Sequence, residues 1–399
     1  MTMLSEEKQK LNERLRISGV QKVKLFDADN PLILEGGERL NEVEIAYETY
    51  GELNENRDNA VYICHALTGE AHAAGWQDGD KHAGWWNTLI GPGKAIDTDR
   101  WFVICSNLLG GCQGSTGPSS INPDTGNPWG LDFPLLDMRD FVKAHRALLK
   151  HLGIERLHAA VGGSLGGMQV LAWALDYPEE MSNAVLAATS SRLTAQNIAF
   201  SAVGREAIMR DENFDDGEFV SHGKNPDVGL AIARMMAHIT YTSEVGFQEK
   251  FGRRPQFEDR EPGFGIDFAV ESYLDYQGTS FLTRFDALSY LYLTRVMDYF
   301  DPFSDSKATK KLHASPVNFL VLSFSTDWRF STQQSLWIVQ KLLGAQVPVN
   351  FREIASPWGH DSFLLDIKPY LSTVKAFVEA DHGSTSQWED RNRGAKCRA

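Results

Sequence analysis

Cysteine is scarce in this chain of 399 residues: four, at Cys64, Cys105, Cys112 and Cys397, with no Cys-x-x-Cys pair. That excludes a disulfide scaffold and a cysteine-based zinc site. Cys64 and Cys105 each end an apolar run, so both read as buried reduced thiols. No apolar run approaches the roughly 18 residues that a transmembrane helix needs, so no membrane span is expected. The first sixteen residues are rich in Glu, Lys and Arg and lack the apolar stretch of a secretory leader. Basic residues are in deficit, 39 Lys and Arg against 53 Asp and Glu, for a net charge of −14. Binding nucleic acid or an anionic membrane takes clustered cations, so neither partner is expected. No H-E-x-x-H motif or Cys/His cluster suggests a metal. His72, His151 and His238 read as solvated or structural histidines. What remains is a cytoplasmic globular protein, 42% hydrophobic, long enough for one to three domains.

Short apolar segments rich in β-branched residues predict strands at 60–64, 101–106, 157–162, 183–189, 317–323 and 349–354. They lack strict alternation, which suits strands covered on both faces, as in a parallel sheet. Helical spacing over 138–152, with Asp137 as N-cap, and over 165–175 and 335–343 separates several of them. Strands alternating with helices predict an α/β sandwich. The pattern breaks over 192–304, where helices are expected at 199–209, 229–239 and 268–276. Long excursions between two strands of a sheet are usually functional, so this stretch reads as a lid inserted into a core of 1–191 and 305–380. Residues 381–399 are polar and read as a disordered tail. The Gly-rich segment 108–118 lacks the Lys-Ser/Thr ending of a phosphate-binding loop. It reads equally as a cleft lining or a tight turn.

Chemistry concentrates at Gly162-Gly163-Ser164-Leu165-Gly166, a G-x-S-x-G motif between a predicted strand and a predicted helix. That context is a nucleophile elbow: the turn lifts the Ser164 hydroxyl to the carboxyl edge of the sheet. The N–H of Leu165, at a helix N-terminus, suits a developing oxyanion. The order expected of an α/β-hydrolase fold is Ser, then an acid, then His. Asp327 follows the strand at 317–323 and His360 the strand at 349–354, which places both on the rim of Ser164. A second oxyanion donor is expected from the loop after 60–64, at the N–H of Leu67. His65 precedes the serine and does not fit the base's place in that order.

These residues stand in a wider set of motifs. They include Tyr47-Glu48-Thr49-Tyr50-Gly51, His65-Ala66-Leu67-Thr68-Gly69, Asn107-Leu108-Leu109-Gly110-Gly111-Cys112, Gly114-Ser115-Thr116-Gly117-Pro118, GGSLGGMQ at 162–169, RMMAHITY at 234–241 and Gly359-His360-Asp361-Ser362-Phe363. From about Tyr47 to Leu365 the chain resembles the homoserine O-acyltransferases of the α/β-hydrolase superfamily, the MetX type of the methionine pathway. The resemblance implies a mostly parallel sheet with an inserted helical lid, a homodimer associating through that lid, and no permanently bound cofactor. It implies a ping-pong transfer from acyl-CoA to L-homoserine through an acyl-Ser164, with Asp327 and His360 completing the triad. The family's amino-acid site carries over to Arg234, for the substrate carboxylate, and Asp361, for its ammonium. Acetyl-transferring members have an apolar residue two positions after the triad Asp. Arg329 stands there, as in the subgroup using succinyl-CoA, whose acyl group ends in a carboxylate. Around Thr68-Gly69-Glu70-Ala71-His72 the chain resembles acetyl-transferring members, so acetyl-CoA stays as the alternative donor. Serine as acceptor and plain ester hydrolysis are the more distant readings.

Overall fold

The computed structural model describes residues 5–258, 261, 263–304, 312–313 and 315–380. The expectation for the tail lies outside them. Among the described residues there are ten strands: β1 (Gln21–Phe26), β2 (Leu32–Ile33), β3 (Arg39–Leu40), β4 (Val43–Tyr50), β5 (Ala60–Cys64), β6 (Phe102–Ser106), β7 (Leu157–Gly163), β8 (Met181–Ala187), β9 (Asn318–Phe324) and β10 (Val349–Ile354). Eight of them form one sheet, in the order β1-β4-β6-β5-β7-β8-β9-β10. β4 pairs antiparallel with both β1 and β6, and every pair from β6 to β10 is parallel. The carboxyl ends of β5, β7, β9 and β10 therefore share one edge.

Both faces of the central strands are covered, which is why β5 to β9 read as near-continuous apolar runs, whereas the edge strands β1 and β10 are partly exposed. Tyr62, Cys64, Phe319 and Val321 pack on one face, and Val61, Ile63, Leu320 and Leu322 on the other. The helices are α1 (Glu6–Leu15), α2 (Met138–His151), α3 (Leu165–Asp176), α4 (Ala195–Met209), α5 (Asp227–Tyr241), α6 (Glu244–Lys250), α7 (Ala269–Phe281), α8 (Ala287–Tyr299), α9 (Thr332–Gly344) and α10 (Lys368–Glu379). α2, α3 and α9 pack on the first face, and α1 and α10 on the second. Asp137 caps α2 as its position predicts. Its side chain accepts the N–H of Arg139, and Asp140 accepts that of Asp137, both at 2.9 Å. A cap of this kind contributes about 1 kcal/mol.

α4 to α8 fill 195–299, between β8 and β9. They do not form a separate core, because Leu230, Phe281, Leu288 and Leu293 join the same apolar cluster as α2 and α3. Tyr292 on α8 also donates its hydroxyl to the Phe133 carbonyl at 2.6 Å. The segment 108–118 is a loop that opens on a tight turn, with the Gly111 N–H on the Leu108 carbonyl at 3.1 Å, and is closed by the Gly110 N–H on the Thr116 carbonyl at 2.8 Å. Its residues line a surface cleft with Lys22 and Glu44, apart from the cavity at Ser164.

Candidate active site

Only Ser164 separates β7 from α3, and it takes φ +58° and ψ −124°. A non-glycine residue held there stores about 1–3 kcal/mol, which the packing around it must impose. The neighbours show why this turn excludes side chains. A Cβ on Gly162 would lie 2.2 Å from the Gly166 carbonyl oxygen, and one on Gly166 would lie 2.0 Å from that of Cys64.

His360 sits in a short 3-10 helix (Gly359–Leu364) after β10. Its Nε2 lies 2.9 Å from Ser164 Oγ and its Nδ1 lies 2.8 Å from Asp327 Oδ2. Asp327 Oδ1 accepts the N–H groups of Arg329 and Phe330, at 3.0 and 2.9 Å. The carboxylate is thus fixed at both oxygens. With Nδ1–H directed at Asp327, the Nε2 lone pair faces the Ser164 hydroxyl. All three residues are buried. A base in contact with a hydroxyl, and oriented by a carboxylate, is the arrangement that turns serine into a nucleophile.

Leu67 and Leu165 lie on either side of this serine in the fold, one after β5 and one opening α3. Gln169 ties their two segments together. Its Nε2 donates to the His65 carbonyl at 3.0 Å and to the Leu165 carbonyl at 3.3 Å, and its Oε1 faces His145 Nε2 at 3.0 Å. His65 is a positioning group. Its Nε2 accepts the Leu108 N–H at 3.1 Å, its Nδ1 faces the Ala66 carbonyl, and burial lowers its pKa to about 4. It is held neutral in the loop after β5, and His360 takes the position of the base.

Ser164, Leu67, Arg234, Arg329, His360 and Asp361 line one cavity of about 160 Å³, with Asp327 and Leu165 behind it. Arg234 stacks over the Phe281 ring at 4.5 Å, and its Nε has no hydrogen-bond partner among the described residues. Asp361 does not pair with Arg234, although both face the cavity. Burial pushes its carboxyl up to about 6, against the opposing pull of His360 and Arg234. Arg329 points inward: it is 7% exposed, and its Nη1 donates to Thr240 Oγ1 at 2.8 Å. The cavity also takes Trp85, His238, Tyr241, Arg284 and Met297, which no spacing in the sequence singled out. Tyr241 stood in the motif at 234–241 without an assigned role, and His238, read there as a solvated or structural histidine, lines the cavity instead. Arg284 lies between α7 and α8, and only the closed chain brings it to the Thr68 carbonyl, at 3.3 Å. Among the described residues, no group of His, Cys, Asp and Glu is placed to hold a metal ion, and no helix is long and apolar enough to cross a membrane.

The α/β hydrolase fold family matches residues 59–367. A homoserine O-succinyltransferase of Nocardioides sp. is 57% identical over 358 residues, covering 90% of this chain and 97% of its own. A homoserine O-acetyltransferase of Rhodospirillum rubrum is 51% identical over 356 residues, covering 88% and 90%. The crystal structure of homoserine O-acetyltransferase from Bacillus anthracis superposes with a TM-score of 0.84 at 29% identity, over 92% of this chain and 99% of that one. These likenesses join a serine–histidine–aspartate relay, at the carboxyl edge of a parallel sheet, to one group of acyl-transferring proteins: the chain belongs to the homoserine O-acyltransferase family of the α/β-hydrolase fold.

Proposed function

We propose that this protein transfers the succinyl group of succinyl-CoA to the hydroxyl of L-homoserine, giving O-succinyl-L-homoserine and CoA. The observation that carries this reading is the charge set of a single buried cavity. Arg234 and Asp361 both face it and make no direct ion pair with each other, which suits the carboxylate and ammonium of an amino acid. Arg329 adds a second guanidinium, which suits an acyl group that ends in a carboxylate.

The chemistry runs in two halves. His360 takes the Ser164 proton as Oγ attacks the thioester carbonyl. The N–H groups of Leu67 and Leu165 stabilise the oxyanion. The C–S bond breaks, the sulfur takes the proton from His360, and CoA leaves an acyl-Ser164. Homoserine then enters, His360 takes its hydroxyl proton, and the alkoxide oxygen attacks the ester. The C–O bond to Ser164 breaks, and His360 returns the proton to Oγ. Asp327 holds the imidazole and stabilises its charged form throughout. The helical segment 192–304 acts as a lid that excludes water, which otherwise competes for the acyl group. Exposed Val203, Val228 and Ile232 on α4 and α5 support a homodimer formed through this segment.

The test is a two-by-two assay: succinyl- or acetyl-CoA against homoserine or serine, read by product mass. Succinyl transfer to homoserine should be fastest. Predominant O-acetylhomoserine overturns the donor assignment in favour of acetyl-CoA, and O-acylserine overturns the acceptor. CoA release that ignores homoserine identifies a hydrolase.

A further inference from the structure

His238 is the buried group of the cavity that the two half-reactions leave unused. It lies one turn after Arg234 on α5 and lines the same cavity as Ser164 and Asp361. Its side chain is 6% exposed, and its Nε2 has no hydrogen-bond partner among the described residues. Arg234 Nε, one turn earlier, is in the same condition. Two adjacent buried polar atoms without partners cost stability unless a ligand satisfies them.

The identity of that ligand follows from the surroundings of the ring. Tyr273 on α7 lies edge-on to it, with its hydroxyl 3.1 Å from Nδ1. Tyr241 meets it edge-on from α5, with ring centroids 5.7 Å apart. Burial above all, and then the cations Arg234, Arg284 and Lys250, lower the pKa of the imidazole to about 3. The ring is therefore neutral at working pH, and one nitrogen carries the hydrogen. The tautomer that can hold an anion is the one in which the phenolic O–H of Tyr273 donates to Nδ1 and the hydrogen sits on Nε2, which makes Nε2–H a donor. A donor among three cations attracts an anion. Arg329 is engaged on Thr240, toward the acyl chain, so the anion that reaches Arg234 is the acceptor's.

We infer that His238 is a recognition residue for the acceptor amino acid: its Nε2–H and the Arg234 guanidinium together grip the α-carboxylate. The inference rests on the amino-acid acceptor proposed above and adds the group that reads its carboxylate.

The experiment compares wild type, His238→Phe and His238→Gln. Phe keeps the ring packing without the N–H, and Gln returns an N–H near the position of Nε2. Two readouts are taken: the burst of CoA released from succinyl-CoA alone, and the KM for acceptor. Each is run with L-homoserine and with 3-aminopropan-1-ol, which lacks only the carboxylate. His238→Phe should raise the homoserine KM at least tenfold and leave the burst rate within twofold. His238→Gln should return the KM to within threefold of wild type. With 3-aminopropan-1-ol, wild type and His238→Phe should be equal within threefold. An equal loss on both acceptors shows general damage to the pocket and overturns the inference. So does a slowed burst with an unchanged homoserine KM, which would place His238 on the donor. An unchanged KM on both acceptors reduces His238 to packing. A wild type whose CoA release ignores homoserine overturns the functional reading itself, a result visible before any variant is made. If His238→Phe does not fold, Tyr273→Phe carries the same comparison, since it removes the proton that fixes the tautomer, and an unchanged homoserine KM there overturns the inference.

Discussion

Asp327 accepts the backbone N–H of Arg329 at 3.0 Å, so the residue that orients His360 also fixes where the Arg329 side chain begins. The acyl recognition proposed for Arg329 and the orientation of the base would thus be built from one turn. Arg329 then extends into the cavity and meets Thr240. The contact with a neutral hydroxyl, and with Asp298 only at longer range, leaves the guanidinium free to meet a ligand anion.

Arg329→Leu should therefore change donor preference more than it changes catalysis. A charge-assisted hydrogen bond to the succinyl carboxylate contributes about 1.5–3 kcal/mol, roughly 10- to 150-fold in selectivity. The ratio of kcat/KM for succinyl-CoA to that for acetyl-CoA should fall by that factor. Because the measure is a ratio, a general loss of folded enzyme cancels. An unchanged ratio in a folded variant moves the assignment to acetyl-CoA.

Ser164 carries both the chemistry and the backbone strain, and two substitutions separate them. Ser164→Ala and Ser164→Gly should both fail to gain acyl mass on mixing with acyl-CoA alone. Alanine keeps the cost of a Cβ at φ +58°, whereas glycine releases it. Ser164→Gly should thus be the more stable of the two inactive variants, by about 1 kcal/mol in denaturant unfolding. Acylation of either at wild-type speed removes Ser164 as the nucleophile.

Much of this site is legible in the sequence because its residues follow strands. The Ser164 elbow and Asp327 sit just past apolar runs and His360 past the alternating edge strand β10, and a parallel sheet carries all three to one edge. β1 and β4 are less visible. β4 alternates charged and polar residues with apolar ones, and its Glu48 is buried against Tyr50 and His72, at 2.6 and 2.8 Å. Local hydropathy cannot reveal that pairing. The separation between lid and core is also weaker than the change of pattern at 192 suggests, since α8 is apolar on nearly all sides and packs into the main core. His238 and Arg284 were hidden for a related reason: what they face is supplied by other elements.

Arg234→Ala should affect the second half-reaction selectively. In the proposed site the guanidinium holds the acceptor's carboxylate, and it makes no hydrogen bond to His360 or Asp327, so the acyl-Ser164 should still form at close to the wild-type rate. Its transfer to homoserine should slow by roughly 10- to 150-fold through a raised acceptor KM. Single-turnover measurements with each substrate in turn distinguish the two steps. Collapsed acylation with normal acceptor dependence removes the proposed role.

Asp361 should give the acceptor step its own pH dependence. Burial raises its carboxyl to about 6, so in the empty site it is part-protonated just below neutrality, and only the ionised form attracts an ammonium. The acceptor's kcat/KM should fall as pH drops through about 6, and the donor's should fall less. His360 serves both half-reactions, so the ratio of the two isolates Asp361. In Asp361→Asn that ratio should be flat with pH and the homoserine KM high throughout. The same shift carries a stability cost. Unfolded, the carboxyl ionises near pH 4, whereas folded it keeps its proton to about pH 6. Unfolding therefore releases a proton between those values, so stability falls as pH rises through the window and stays lower above it. A shift of about two units, discounted for partial solvent access, costs about 1–2 kcal/mol. Asp361→Asn should be more stable than wild type by about that amount at pH 7 and should lose the advantage near pH 4. Equal stability at both pH values would show that the carboxyl is not held protonated, and the acceptor profile should then lack its break near pH 6.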